Sequence, residues 1–141
     1  VPLIIADPRQ PRGPGKTTFA LAELVDLYPT LIELCSRPER DDHDGRSLAP
    51  LVRAPESDWP YPAIVTHSPH WHGTNHAIRS ERYHYIHYSD GGEELYDNAN
   101  DPNQWENLAN SAAYSEVKEQ LSRWLPKENA DHFQPRPVNE R

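Results

Sequence analysis

Four of the chain's eight histidines, His67, His70, His72 and His76, crowd one short stretch together with Trp71, Gly73 and Asn75. Imidazole is the side chain whose charge changes nearest neutral pH, and each ring nitrogen can donate or accept a hydrogen bond. An asparagine amide beside it adds a donor and an acceptor, and an indole can stack on a ring. A loop so equipped suits the oxygens of an anionic or hydroxylated ligand. A polar surface loop with incidental histidines explains the same composition. A third reading is a metal site, with His70, His72 and His76 as zinc ligands, although no cysteine accompanies them.

Other residues invite chemistry less. His84 and His87 are separated by an odd interval on a β-prone segment, so they point to opposite faces and cannot share a ligand. Arg79 and Arg82 present guanidinium forks that could neutralise an oxyanion, or could pair with one of the many acids. Gly13-x-Gly15-Lys16-Thr17 has the wrong glycine spacing for a phosphate loop. Cys35 is expected as plain core on the apolar face of a helix.

The elements that must position these groups follow from pattern. Residues 3–6 read as a buried strand whose partners would lie upstream, and prolines and glycines then break the chain up to Gly15. Asp26 reads as a helix N-cap with Pro29 in the first turn, where its missing N–H costs nothing. Leu27, Leu31 and Leu34, with Tyr28, Ile32 and Cys35 beside them, give that helix one wide apolar face, and Pro38 stops it. Residues 48–51 form a short apolar turn.

Strands are expected at 63–66, at 76–79 and at the aromatic run 83–88. Asp90-Gly91-Gly92 makes a turn before residues 93–97. Asn110 or Ser111 caps a last helix striped by Val117, Leu121, Trp124 and Leu125 and ended by Pro126. Strands joined by short turns and closed by one helix predict a small antiparallel sheet with a helix across one face.

Composition bounds the function. The chain has 141 residues, 15 of them proline, and a formal net charge of −8. Length and aromatic content fit a globular, loop-rich domain short of core. The negative charge argues against nucleic acid or a membrane surface as partner, and no apolar run is long enough to span a bilayer. A single cysteine leaves no internal disulfide framework.

Taken in order, several blocks resemble the later part of sulfatases. They are Val1-Pro2-Leu3-Ile4-Ile5, the run from Leu24 to Leu31, Asp44-Gly45-Arg46-Ser47-Leu48-Ala49-Pro50-Leu51, and the run from His76 to Ile86. After these come Glu94-Leu95-Tyr96-Asp97, Asp101-Pro102 and Glu106-Asn107-Leu108. The bacterial iduronate-2-sulfatase-like group is the nearest in character. The resemblance implies an α/β, alkaline-phosphatase-like architecture for a longer parent, with α+β structure in this piece. Residues 1–57 would be the last strand and helix of the large domain. Residues 58–126 would be a C-terminal antiparallel sheet of about four strands with its terminal helix, and 127–141 a polar tail.

It further implies a formylglycine nucleophile, made from the cysteine of a Cys-x-Pro-x-Arg run, and a calcium ion on oxygen ligands. Both would lie outside this chain: Cys35-Ser36-Arg37-Pro38-Glu39 has Pro and Arg in the wrong places. No catalytic residue, metal or cofactor is then expected here, and the piece is expected to be inactive alone. The partners implied are an N-terminal sulfatase domain and a sulfated carbohydrate, and the location implied is periplasmic or secreted. In the family the residues just before the Ala77-Ile78-Arg79 strand face the active-site mouth, which singles out His72, Asn75 and His76. Two other readings stand beside it, a non-catalytic glycan-binding module and a histidine-based metalloenzyme.

Overall fold

A computed structural model describes residues 2–9, 15–67 and 73–129. The chain forms two compact units, Val1–Ala63 and Ile64–Arg141.

The first unit is built on a short 3-10 turn, Leu24–Asp26, that runs into helix α1, Leu27–Leu34, and on helix α2, Ala49–Arg53. Asp26, expected as the cap of α1, acts in the reverse direction. Its carboxylate, almost fully buried, accepts the backbone N–H of Glu23 at 2.8 Å behind it and of Arg46 at 2.7 Å across the chain. Thr30 continues the lock: its hydroxyl donates to the Asp26 carbonyl and accepts the Leu48 N–H at 2.8 Å. Gly45 is required here, because a Cβ would stand 2.1 Å from the Val25 carbonyl oxygen. Leu48, Ala49 and Leu51 are buried in this unit, as are Pro29 and Pro62.

Two expectations fail in it. Residues 2–7 form no strand, and Leu3 and Ile4 are 47% and 89% exposed. A strand needs a ladder partner, and none pairs with this segment among the described residues. The apolar face of α1 is also not core within the unit: Tyr28 and Leu31 are exposed, as is Cys35 at the helix's C-terminal end.

The second unit is a meander of four strands in the order β1-β2-β3-β4, namely Ala63–His67, Asn75–Arg79, Tyr83–His87 and Glu93–Asp97. The antiparallel register sets Ile78 opposite Tyr85 and Tyr85 opposite Leu95. Because strand side chains alternate, these three share one face. They are almost fully buried, together with Ala109 and Leu121. Leu121 comes from helix α3, Ser115–Ser122, whose Val117 packs on the same cluster with Trp124 and Leu125. That stripe is the one the sequence pattern predicts. Ser111 stands before a 3-10 turn, Ala112–Tyr114, that leads into α3, and its hydroxyl makes no capping bond.

Candidate functional site

The meander brings the end of β1, the start of β2, the end of β3 and the start of β4 to one end of the sheet. His67, Asn75, His76, His87 and Glu93 therefore gather there. His70 and His72, with Trp71, lie outside the described residues, so the loop tip of the sequence reading is not placed. Its exit is.

Gly73 has φ +75°, and a Cβ on it would stand 2.7 Å from the Ser89 Cβ in the β3–β4 turn. Only glycine takes both that conformation and that approach without strain. Asn75 Oδ1 accepts the backbone N–H of the same Ser89 at 2.9 Å. The exit of the loop is thus clamped against the neighbouring turn.

His76 is 6% exposed, and both ring nitrogens are engaged. Nε2 lies 2.9 Å from Asn129 Oδ1, an acceptor, so this nitrogen carries the proton. Nδ1 lies 3.1 Å from the Thr66 hydroxyl, which donates to it in the neutral ring. One imidazole therefore ties the end of β1 and the start of β2 to a residue beyond α3.

Beside it on the core-facing side is a polar network that the sequence did not announce. Glu93 accepts Lys118 Nζ at 2.8 Å and the Tyr85 hydroxyl at 2.5 Å. These bonds hold the Glu93 carboxyl below its ordinary range, and burial, with the carboxylate beside it, raises the Tyr85 phenol far above its own. Tyr85 stays neutral and donates, and Glu93 stays ionised and accepts.

At the opposite end of the sheet, Arg82 grips Asp97 through two bonds of 2.9 and 2.6 Å. Asp97 also accepts the Ala99 N–H and the Asn100 amide. The guanidinium holds its carboxyl at about 2. Arg82 is thus engaged in an ion pair, and Arg79 reaches Asn98 Oδ1 at 3.4 Å. His84 and His87 stand on opposite faces, His84 beside Gln104 Oε1 and His87 paired with His76 across the ladder.

The described residues do not fit calcium or formylglycine. Among the described residues no three His, Cys, Asp or Glu side chains converge as a metal site. The buried carboxylates, Asp26 and Asp97, are occupied by backbone and side-chain donors. Cys35 is exposed at the C-terminal end of α1, in the wrong sequence context.

Comparison with known proteins gives a consistent answer. The family model for N-sulphoglucosamine sulphohydrolase, C-terminal, matches residues 1–131. A sulfatase of Formosa agariphila is 39% identical over 129 residues, 92% of this chain and 24% of the relative. A Delta 4,5-hexuronate-2-O-sulfatase of Bacteroides thetaiotaomicron is 36% identical, over 83% of this chain and 26% of the relative. A solved 2-O GAG sulfatase superposes with TM-score 0.53 at 32% identity, over 67% of this chain and 22% of that one. The chain spans about a quarter of the length of the curated relatives it matches.

Proposed function

Because this chain belongs to the sulfatase family and matches its C-terminal part, we propose that it completes an enzyme hydrolysing a sulfate ester of a sulfated sugar. In that reading the formylglycine nucleophile and the calcium ion belong to an N-terminal part. This chain supplies structure and one wall of the substrate pocket.

The observation that carries the reading is the apolar surface of the first unit. Ile4, Phe19 and Leu24 are 89%, 95% and 86% exposed, and Leu3, Val25, Tyr28 and Leu31 are about half exposed or more. Apolar side chains this open are what a protein contact would cover. Relatives about four times as long supply a natural cover.

The pocket wall is the loop 67–75 and the first residues of β2. His72 is the donor on the loop itself. Asn75 has its carbonyl oxygen bonded to Ser89, so its amide N–H groups would meet a ligand. His76 would reach a sulfate or hydroxyl oxygen through Nε2 only by exchanging Asn129 for it. Otherwise it acts by holding the loop's base. The hexuronate and GAG substrates named for the relatives favour a sulfated uronate-containing glycan.

The test is hydrolysis of an aryl sulfate and of sulfated disaccharides, by this chain alone and joined to its N-terminal part. The expected result is no turnover by the chain alone and turnover by the joined enzyme. Replacing His72 or His76 by alanine in the joined enzyme should lower kcat/KM roughly ten- to a hundredfold, the worth of one hydrogen bond to a charged group. Robust turnover by the chain alone would overturn the assignment.

A further inference from the structure

Asn75 and His76 are neighbours at the start of β2, yet they differ in what they have left to offer. His76 is bonded at both ring nitrogens. Asn75 is bonded at one end only. Its Oδ1 accepts the backbone N–H of Ser89 at 2.9 Å. A backbone N–H can only donate, so this contact settles which end of the amide is the oxygen. The other end, Nδ2, carries two N–H groups that no described residue accepts. Nor is it sealed in, for the one buried side-chain polar atom without a partner among the described residues is His43 Nε2.

The partner of that oxygen belongs to a turn fixed from within. The Tyr88 N–H reaches the Gly92 carbonyl at 2.9 Å, and the Gly91 N–H reaches the Tyr88 carbonyl at 3.0 Å. Asp90 Oδ1 accepts the Gly92 N–H at 2.8 Å. On the loop side, Gly73 lets Ser89 come so close that a Cβ would stand 2.7 Å from its Cβ and 2.8 Å from its Oγ. Gly73 and Gly91 have φ of +75° and +86°, where a side chain would be strained. Two glycines thus bring one N–H to one amide.

What the lock selects follows from the two ends of an amide. A hydroxyl both donates and accepts, so either end can meet it. A carboxylate or sulfate oxygen only accepts, so N–H alone can meet it. Turning the amide oxygen away therefore discriminates in favour of a ligand oxygen that cannot donate. Hydrogen bonds to such an anion are also about twice as strong as neutral ones.

We propose that Asn75 sets specificity for an anionic oxygen of the substrate, and that Ser89, in the β3–β4 turn, is the positioning residue that holds its amide donors outward. The substrate assignment rests on the reading of the joined enzyme as a glycan sulfatase. The oxygen then belongs to a uronate carboxylate or to the sulfate group.

The test is steady-state kinetics of the joined enzyme on an unsaturated uronyl disaccharide bearing a 2-O-sulfate and on p-nitrophenyl sulfate. Asn75→Asp is nearly isosteric and keeps an oxygen for the Ser89 N–H, so Tm should hold. It sets a carboxylate where the outward N–H groups were, and KM for the disaccharide should rise about tenfold or more with kcat little changed. A rise confined to the disaccharide assigns the oxygen to the uronate, and a rise on both substrates assigns it to the sulfate. Gly73→Ala, which drives Ser89 away, should raise the same KM, and adding Ser89→Gly should recover part of the loss. Wild-type KM in Asn75→Asp would overturn the specificity role and leave the sulfatase reading standing. A lower KM would do the same, by showing a hydroxyl at the amide. No recovery by Ser89→Gly would overturn the positioning role. No turnover of either substrate by the wild-type joined enzyme would sink the sulfatase reading and the proposal together.

Discussion

The two units of this chain solve burial in opposite ways. In the second, Ile78, Tyr85 and Leu95 are at most 1% exposed, and α3 closes over them with Leu121. In the first, the deepest side chains include Asp26 and Thr30, while Phe19 and Leu24 are almost entirely in solvent. Hydrophobic burial is the dominant favourable term in folding. The second unit therefore carries its own source of stability, and the first holds its shape by polar locks and leaves several apolar side chains in solvent.

The largest effect that could break this contrast is independent folding. Residues 64–129 expressed alone should unfold cooperatively in urea and give a dispersed amide spectrum. Residues 1–63 alone should aggregate or remain unfolded. Cooperative unfolding of the shorter piece 1–63 as a monomer would show that its exposed face needs no cover.

The same contrast can be sharpened with matched leucines. Leu95→Ala should cost about 2–5 kcal/mol in urea unfolding in any context, because it opens a cavity in a closed core. Leu31→Ala should cost no more than about 0.5 kcal/mol in the isolated chain, where the side chain is exposed. In the joined enzyme its cost should rise into the range of a buried leucine. A Leu31 variant equally mild in both settings would mean that nothing packs on α1.

His76→Ala should lower the stability of the second unit by about 1–3 kcal/mol, since it strands Thr66 and Asn129 and removes a buried ring. His76→Asn, which can keep one of the two bonds, should lose less. Thermal melts of the 64–129 piece separate this from any effect on activity.

The smallest effect is confined to acid. Asp97 titrates at about 2 when folded, below its ordinary 3.8, because Arg82 holds it. A depressed carboxyl contributes stability in full above its unfolded pKa and loses it as pH falls through the folded one. Melting temperature of the second unit should thus drop between about pH 4 and pH 2, and Asp97→Asn should flatten that part of the profile. An unchanged slope in the variant would assign the acid sensitivity to other groups.

Much of the second unit was legible in the sequence. Alternation in Tyr83–His87 and the spacing of Val117, Leu121 and Trp124 each report one buried face, and both faces are buried inside the same unit. The first unit misled for the converse reason. The apolar face of α1 and the run at residues 3–6 read as buried, and within this chain they are largely exposed, because periodicity does not say what packs on a face. Asp26 reads as a local cap, and only the fold shows Arg46 delivered to its other oxygen. In the candidate site, Asn75 and His76 lie at the end of the sheet where His87 and Glu93 also gather. That His76 is bonded at both nitrogens depends on Asn129, too distant in sequence for any local pattern to connect them.

The central claim is that the apolar face of the first unit is a contact with the rest of a sulfatase. Amide hydrogen exchange across residues 24–34, compared between this chain and the joined enzyme, tests it most directly. Packing on that face should slow exchange in α1 by at least about tenfold in the joined enzyme, with β3 unchanged as the internal reference. Equal exchange of α1 in the two forms would contradict the claim.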